Sequence, residues 1–168
     1  KQLSDAHIYG IYPYKDNLLL LSTKKGIVFY DTKLKQSVNF SFNEKVAAIL
    51  VKELYSVFLQ DKRYLWLVYD EEASIIDLVT GTIDTLDELS KVVPKSKIFS
   101  FIGMLPNSPK MMFTTNDSLW SYDIESKNTA LLYQHPEVLV SEWVSFDNWV
   151  IDKNNIFWLS YPTKGLIG

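Results

Sequence analysis

The chain has 168 residues, 47% apolar and 14% aromatic, with 17 basic and 20 acidic side chains and a formal charge of −3. That length and apolar content allow a sizeable core and exclude a disordered or low-complexity chain; without a basic surplus, nucleic acid is not an expected partner. Cysteine is absent, which excludes disulfides, thiol catalysis and thiolate metal sites, and no apolar run reaches the ~18 residues of a membrane helix, so no membrane contact is expected within this segment.

From the N-terminus, residues alternate in steps of two and are rich in β-branched and aromatic types, which predicts strands. Strands are expected at 8–12, 18–22, 27–31 and 37–42, with a first turn over Pro13-Tyr14-Lys15-Asp16-Asn17 and a tight one at Lys24-Lys25-Gly26. The segments 43–50 and 87–93 open with Asn43 and Asp87, either of which suits a helix cap. Short helices are expected there, with the alternative that 46–50 enters the next strand. Further on, Met104, the turn Pro106-Asn107-Ser108-Pro109, a strand at 110–114, the turn Asn116-Asp117-Ser118 and a strand at 119–123 repeat the opening pattern.

The repetition has a fixed period. Asp31, Asp77 and Asp123 stand 46 residues apart, and each ends an apolar or aromatic run. Leu19, Leu65, Met111 and Phe157 form an apolar column on the same spacing. Leu21, Leu67, Phe113 and Leu159 form another, as do Tyr12, Phe58, Met104 and Val150. Thr23, Tyr69, Thr115 and Tyr161 end equivalent runs, and Trp66 and Trp158 lie two periods apart. Four antiparallel strands in about 46 residues are the dimension of a β-propeller blade. The predicted fold is therefore all-β, a partial propeller of about four blades at 6–42, 53–88, 98–134 and 144–168, the last incomplete. Closure would require the remainder of a longer propeller chain or a second copy in a homodimer.

The repeats resemble a known family. Ser22-Thr23-Lys24-Lys25-Gly26-Ile27-Val28-Phe29-Tyr30-Asp31 resembles the G-T-x-x-G-L-x-x-Y-D half of the two-component regulator propeller repeat. Asp152-Lys153-Asn154-Asn155-Ile156-Phe157-Trp158-Leu159-Ser160-Tyr161, followed by Gly165-Leu166, resembles its D-x-x-G-x-L-W-I-G-T half with the next G-L. Asp61 with Leu65-Trp66-Leu67 repeats the first part. The chain departs from the pattern where Asn154 or Asn155 replaces a glycine and where Ser160-Tyr161 or Val68-Tyr69 replaces G-T. Gly165 falls one residue later than Gly26 on the 46-residue grid, which an extra loop residue explains. The resemblance implies a periplasmic, ligand-sensing propeller of a hybrid two-component histidine kinase, acting as a dimer and often binding an oligosaccharide, with no signalling machinery in these 168 residues. WD-repeat and kelch propellers fit less well: Trp-Asp is replaced by Tyr30-Asp31, Ile76-Asp77 and Tyr122-Asp123, and only six glycines are present.

The repeated aspartates are expected to accept backbone N–H groups in the turns that follow them; calcium binding would need converging oxygens, whereas these are one per blade. No metal or cofactor is expected. His7 and His135 lack metal-ligand spacing, and no serine sits in a nucleophile elbow. The acidic runs Asp70-Glu71-Glu72 and Asp84 to Glu88 offer the carboxylate pairs of a glycoside hydrolase, against the plainer reading that they solvate hairpin tips. For sugar stacking the candidates are Trp143 and Trp149, since the repeat does not demand them, with Glu142 and His135 as polar partners. The alternatives are that Trp149 fills the inner strand and Trp143 packs between blades. A non-catalytic sensor segment is thus set against a protein-interaction scaffold and, third, a glycoside-active enzyme.

Overall fold

A computed structural model describes residues 7–70, 72–98, 100–105, 107–115, 118–134, 149–152, 156–161 and 165–167. The first sheet comprises β1 (Ile8–Lys15), β2 (Leu18–Thr23), β3 (Gly26–Asp31) and β4 (Gln36–Val38); α1 (Glu44–Leu50) leads to the second, β5 (Ser56–Gln60), β6 (Tyr64–Tyr69), β7 (Glu72–Asp77) and β8 (Ile83–Asp84). After α2 (Asp87–Ser90) and a 3-10 turn (Lys95–Lys97) come β9 (Ser100–Met104), β10 (Lys110–Thr114), β11 (Ser118–Asp123) and β12 (Thr129–Gln134), then β13 (Trp149–Ile151), β14 (Phe157–Tyr161) and β15 (Gly165–Ile167). Neighbours in sequence are neighbours in space: among the described residues, three sheets of four strands and one of three run in simple up-and-down order. This is the all-β, bladed architecture of a propeller fragment.

The period is written into hydrogen bonds as well as side chains. Thr32, Leu78 and Ile124, each following a repeat aspartate, donate their N–H to the carbonyls of Asn17, Arg63 and Pro109 at 2.9, 2.9 and 3.1 Å. Both members of each pair step by 46. The Asp31 carboxylate accepts the N–H groups of Lys33 and Leu34, Asp77 those of Val79 and Thr80, and Asp123 those of Glu125 and Ser126, at 2.8 to 3.3 Å. A carboxylate that satisfies two turn donors replaces the ladder bonds the chain gives up as it reverses.

The described residues fall into two compact units, those up to Phe101 and those from Ile102 onward. In the first, Tyr14, Leu20 and Phe29 of one sheet pack with Leu65, Leu67 and Ile76 of the next, and Val46 and Leu50 of α1 join them. Phe40 lies 4.3 Å from Phe29 between ring centroids. Asn43 caps α1 by accepting Val46 N–H at 3.0 Å, and Val46 and Leu50, one turn apart, bury the same face. Gly26 opens β3 at φ +96, where a Cβ would strike the Leu50 carbonyl oxygen and come 2.8 Å from Val51 Cα. The helix end therefore rests directly on the β2–β3 turn. In the second unit Ile102, Met112 and Leu119 form a small core with Leu105 and Tyr133.

Some expectations need correction. Pro13 and Tyr14 belong to β1, not to a turn. Pro13 is paired opposite Leu19 on an edge strand, where a missing N–H costs no ladder bond, and Tyr14 is 1% exposed. β4 ends at Val38, and Phe40 and Phe42 reach the core from irregular chain. Asp87 is the first residue of α2, not its cap; Leu86, left-handed at φ 55, occupies that position. The helical reading of 43–50 holds over its strand alternative. Tyr161 pairs with Gly165 where Thr23 pairs with Gly26, so the later hairpin carries the extra residue.

Candidate functional site

An aromatic residue stands within one position of the start of the first strand in each of three successive repeats, on the 46-residue spacing: Tyr9, Tyr55 and Phe101. All three line one cavity of about 420 Å³, within the first unit, together with Tyr12, Glu53 and Ser56. That volume is in the range of small-molecule sites, about 300–1,000 Å³. Phe101 is buried at its floor against Trp66, with ring centroids 5.1 Å apart, whereas Tyr9 and Tyr55 are 58% and 66% exposed. Two phenol rings thus stand open to water beside a covered aromatic base.

The walls are tied by hydrogen bonds between repeats. Tyr12 donates its hydroxyl to the Val57 carbonyl at 2.7 Å, and burial raises its pKa above the usual phenol value. Gly10 leaves room for that ring, which would lie 2.7 Å from a Cβ at its Oη. Ser56 Oγ accepts Phe101 N–H at 3.0 Å and lies 3.1 Å from Ser100 Oγ. Glu53, at the rim, has no ionic or hydrogen-bonding side-chain partner among the described residues. Its neighbour Lys52 turns away, bonding Asp70 at 3.0 Å and sitting 4.8 Å over the Tyr69 ring. The sequence signal was available, since 9, 55 and 101 share the grid; only folding shows that they converge.

The sequence-predicted binding residues are not assembled by the described structure. His135, Glu142 and Trp143 lie outside the described residues; Trp149 opens β13 opposite Leu159, and its side chain is likewise outside them. Trp66 is fully buried and donates its indole N–H to Gln60 at 2.9 Å, while Trp158 donates to Asp152 at 3.0 Å. His7 offers its backbone carbonyl to Lys24 N–H at 3.1 Å.

The two acidic runs do meet, but on a lysine. Lys95 Nζ, on a side chain only 16% exposed, lies 3.4 Å from Glu72 and 3.3 Å from Asp87, and Glu88 pairs with Lys91 at 2.6 Å. Asp84 accepts Leu86 N–H at 2.9 Å. These carboxylates hold ion pairs and turns. Asp77 does so most strongly: Arg63 grips both its oxygens at 2.7 to 3.1 Å, which, against the opposing effect of burial, holds its carboxyl well below the usual carboxylate range, with Val79 and Thr80 adding to the effect. Among the described residues no group of three His, Cys, Asp or Glu is placed to hold a metal. No described helix is long and apolar enough to cross a membrane.

The fold defined above is shared with longer solved structures, among them two extracellular domains. The extracellular domain of BT4673 from B. thetaiotaomicron, described in one structure as a hybrid two component system and in another as a one component system, superposes with a TM-score of 0.64 at 13% identity over 97% of this chain. That of BT3049 from the same organism, also described as a hybrid two component system, gives 0.62 at 14% identity over 92%. The chain spans about a fifth of each, 20% in both cases. The N-terminal domain of Nup159 gives 0.53 at 13% identity over 92% of this chain and 39% of its own length. Likeness at such identities establishes the fold, and the first two neighbours are of the kind the sequence resemblance implied. No protein-family model and no curated protein matches the chain.

Proposed function

We propose that this chain is a non-catalytic segment of a periplasmic, ligand-sensing propeller of a hybrid two-component histidine kinase, and that its ligand is an oligosaccharide. The observation that carries the reading is the fold, shared over nearly the whole chain with extracellular domains described as belonging to such systems. The water-exposed tyrosines at the cavity add a surface on which a sugar ring can stack. A glycan array probed with the 168-residue chain tests it. Saturable binding to one class of oligosaccharide is expected, and a blank array would favour the scaffold reading.

A separate observation favours a protein partner. Ile11, Leu21 and Val28 share one face of the first sheet with Leu19 and Tyr30, as their strand register requires. Leu65, Leu67 and Ile76, the counterparts of Leu19, Leu21 and Tyr30 one period later, are fully buried against the first sheet; on the first sheet Leu21 is buried too, but Leu19, Val28 and Tyr30 are half-buried and Ile11 is 60% exposed. This face takes another sheet of the same repeat, from a longer chain or from a second copy. Replacing Ile11 with aspartate should shift a concentration-dependent dimer toward monomer in light scattering; a chain that is monomeric at every concentration removes the second copy.

A further inference from the structure

Three features of the cavity select among ligand chemistries. Among the described residues its only carboxylate is Glu53, which is unpaired, and no Lys, Arg or His lines it, which disfavours an anion. The hydroxyls of Tyr12 and Ser56 are committed to the bonds that hold the repeats together, which leaves the rim groups, Glu53 and the two exposed tyrosines, to meet a ligand. Tyr9 and Tyr55 leave most of their surface to water beside that carboxylate. Aromatic faces attract cations through the ring quadrupole, and a carboxylate at the rim supplies the counter-charge.

We propose that the Tyr9, Tyr55, Phe101 and Glu53 cavity is a binding site for an organic ammonium group, held ionically by Glu53 while its carbon framework lies along the tyrosine rings. The inference rests on the reading that this segment receives a ligand and narrows its chemistry: an amino sugar satisfies both. Lys52, the nearest basic residue in sequence, is occupied with Asp70, so a ligand ammonium does not have to displace it.

The test is a titration of the 168-residue chain with glucosamine and n-butylamine, each beside its neutral counterpart, glucose and n-butanol, followed through the amide chemical shifts of residues 53–57. Both amines should bind, and the neutral compounds should bind at least about fivefold more weakly. Glu53→Gln should bring the amines down to the neutral level. Tyr55→Phe, which keeps the ring, should retain binding, and Tyr55→Leu should lose it. Both positions are exposed, and thermal melts of each variant confirm that it is folded. If glucose binds as tightly as glucosamine and Glu53→Gln changes nothing, the ammonium site is overturned while the oligosaccharide reading stands. If no probe moves these amides, the cavity is not the site, and the glycan array decides the oligosaccharide reading separately.

Discussion

Trp66 and Gln60 are joined by a 2.9 Å hydrogen bond from the indole N–H to the side-chain carbonyl, and two periods later Trp158 and Asp152 repeat it at 3.0 Å. A propeller blade places a large ring between sheets, and burying an indole leaves its N–H needing an acceptor. Both chains of residues supply one six positions upstream, one as an amide and one as a carboxylate.

Removing that acceptor should therefore cost more than its half-buried position suggests. Gln60→Ala is expected to destabilise by about 1–3 kcal/mol, the penalty for stranding a buried donor. Gln60→Glu keeps an oxygen for the indole and should cost less. Urea denaturation compares the two, and equal losses would show that the bond is incidental.

Gly26 combines a left-handed φ of +96 with the close approach of the α1 C-terminus. Gly26→Ala should destabilise by more than about 1 kcal/mol, because the backbone conformation is strained for any Cβ and the Leu50 carbonyl leaves no room for one. A denaturation midpoint indistinguishable from wild type would mean that the turn and helix can separate freely.

Asn43 performs two tasks: its Oδ1 accepts Val46 N–H at 3.0 Å and its Nδ2 donates to the Gly81 carbonyl at 2.7 Å. It thereby links the start of α1 to the β7–β8 turn. Asn43→Ala should cost about 1 kcal/mol or more for the lost cap. Asn43→Asp preserves the cap but sets a carboxylate against the Gly81 carbonyl, so its stability should fall between the two. If Asn43→Asp matched wild type, the bond to Gly81 would contribute nothing.

Asp77 makes stability depend on acidity in a defined direction. The folded protein holds this carboxyl below its unfolded value of about 3.9, so the unfolded state takes up a proton first. The contribution is complete above about pH 5 and declines as the pH falls further. Thermal melts between about pH 7 and pH 3 should show a steeper acid loss for wild type than for Asp77→Asn. Parallel curves would place the acid sensitivity elsewhere.

Much of the architecture was legible because a repeat is a one-dimensional property: Asp31, Asp77 and Asp123 mark the period, and their turn chemistry is local enough to follow from residue type. The cap at Asn43 was legible for the same reason. The extent of β1 was not, since Pro13 is acceptable in a strand only when that strand lies at a sheet edge, and edge position is a fact of pairing. Nor was the candidate site. Tyr9, Tyr55 and Phe101 occupy one column of the grid, but a column fixes only which residues are equivalent. Whether equivalent residues are buried between sheets, as Leu65 is, or converge on a cavity depends on how successive sheets twist and pack, and that is decided by contacts between residues about 46 positions apart.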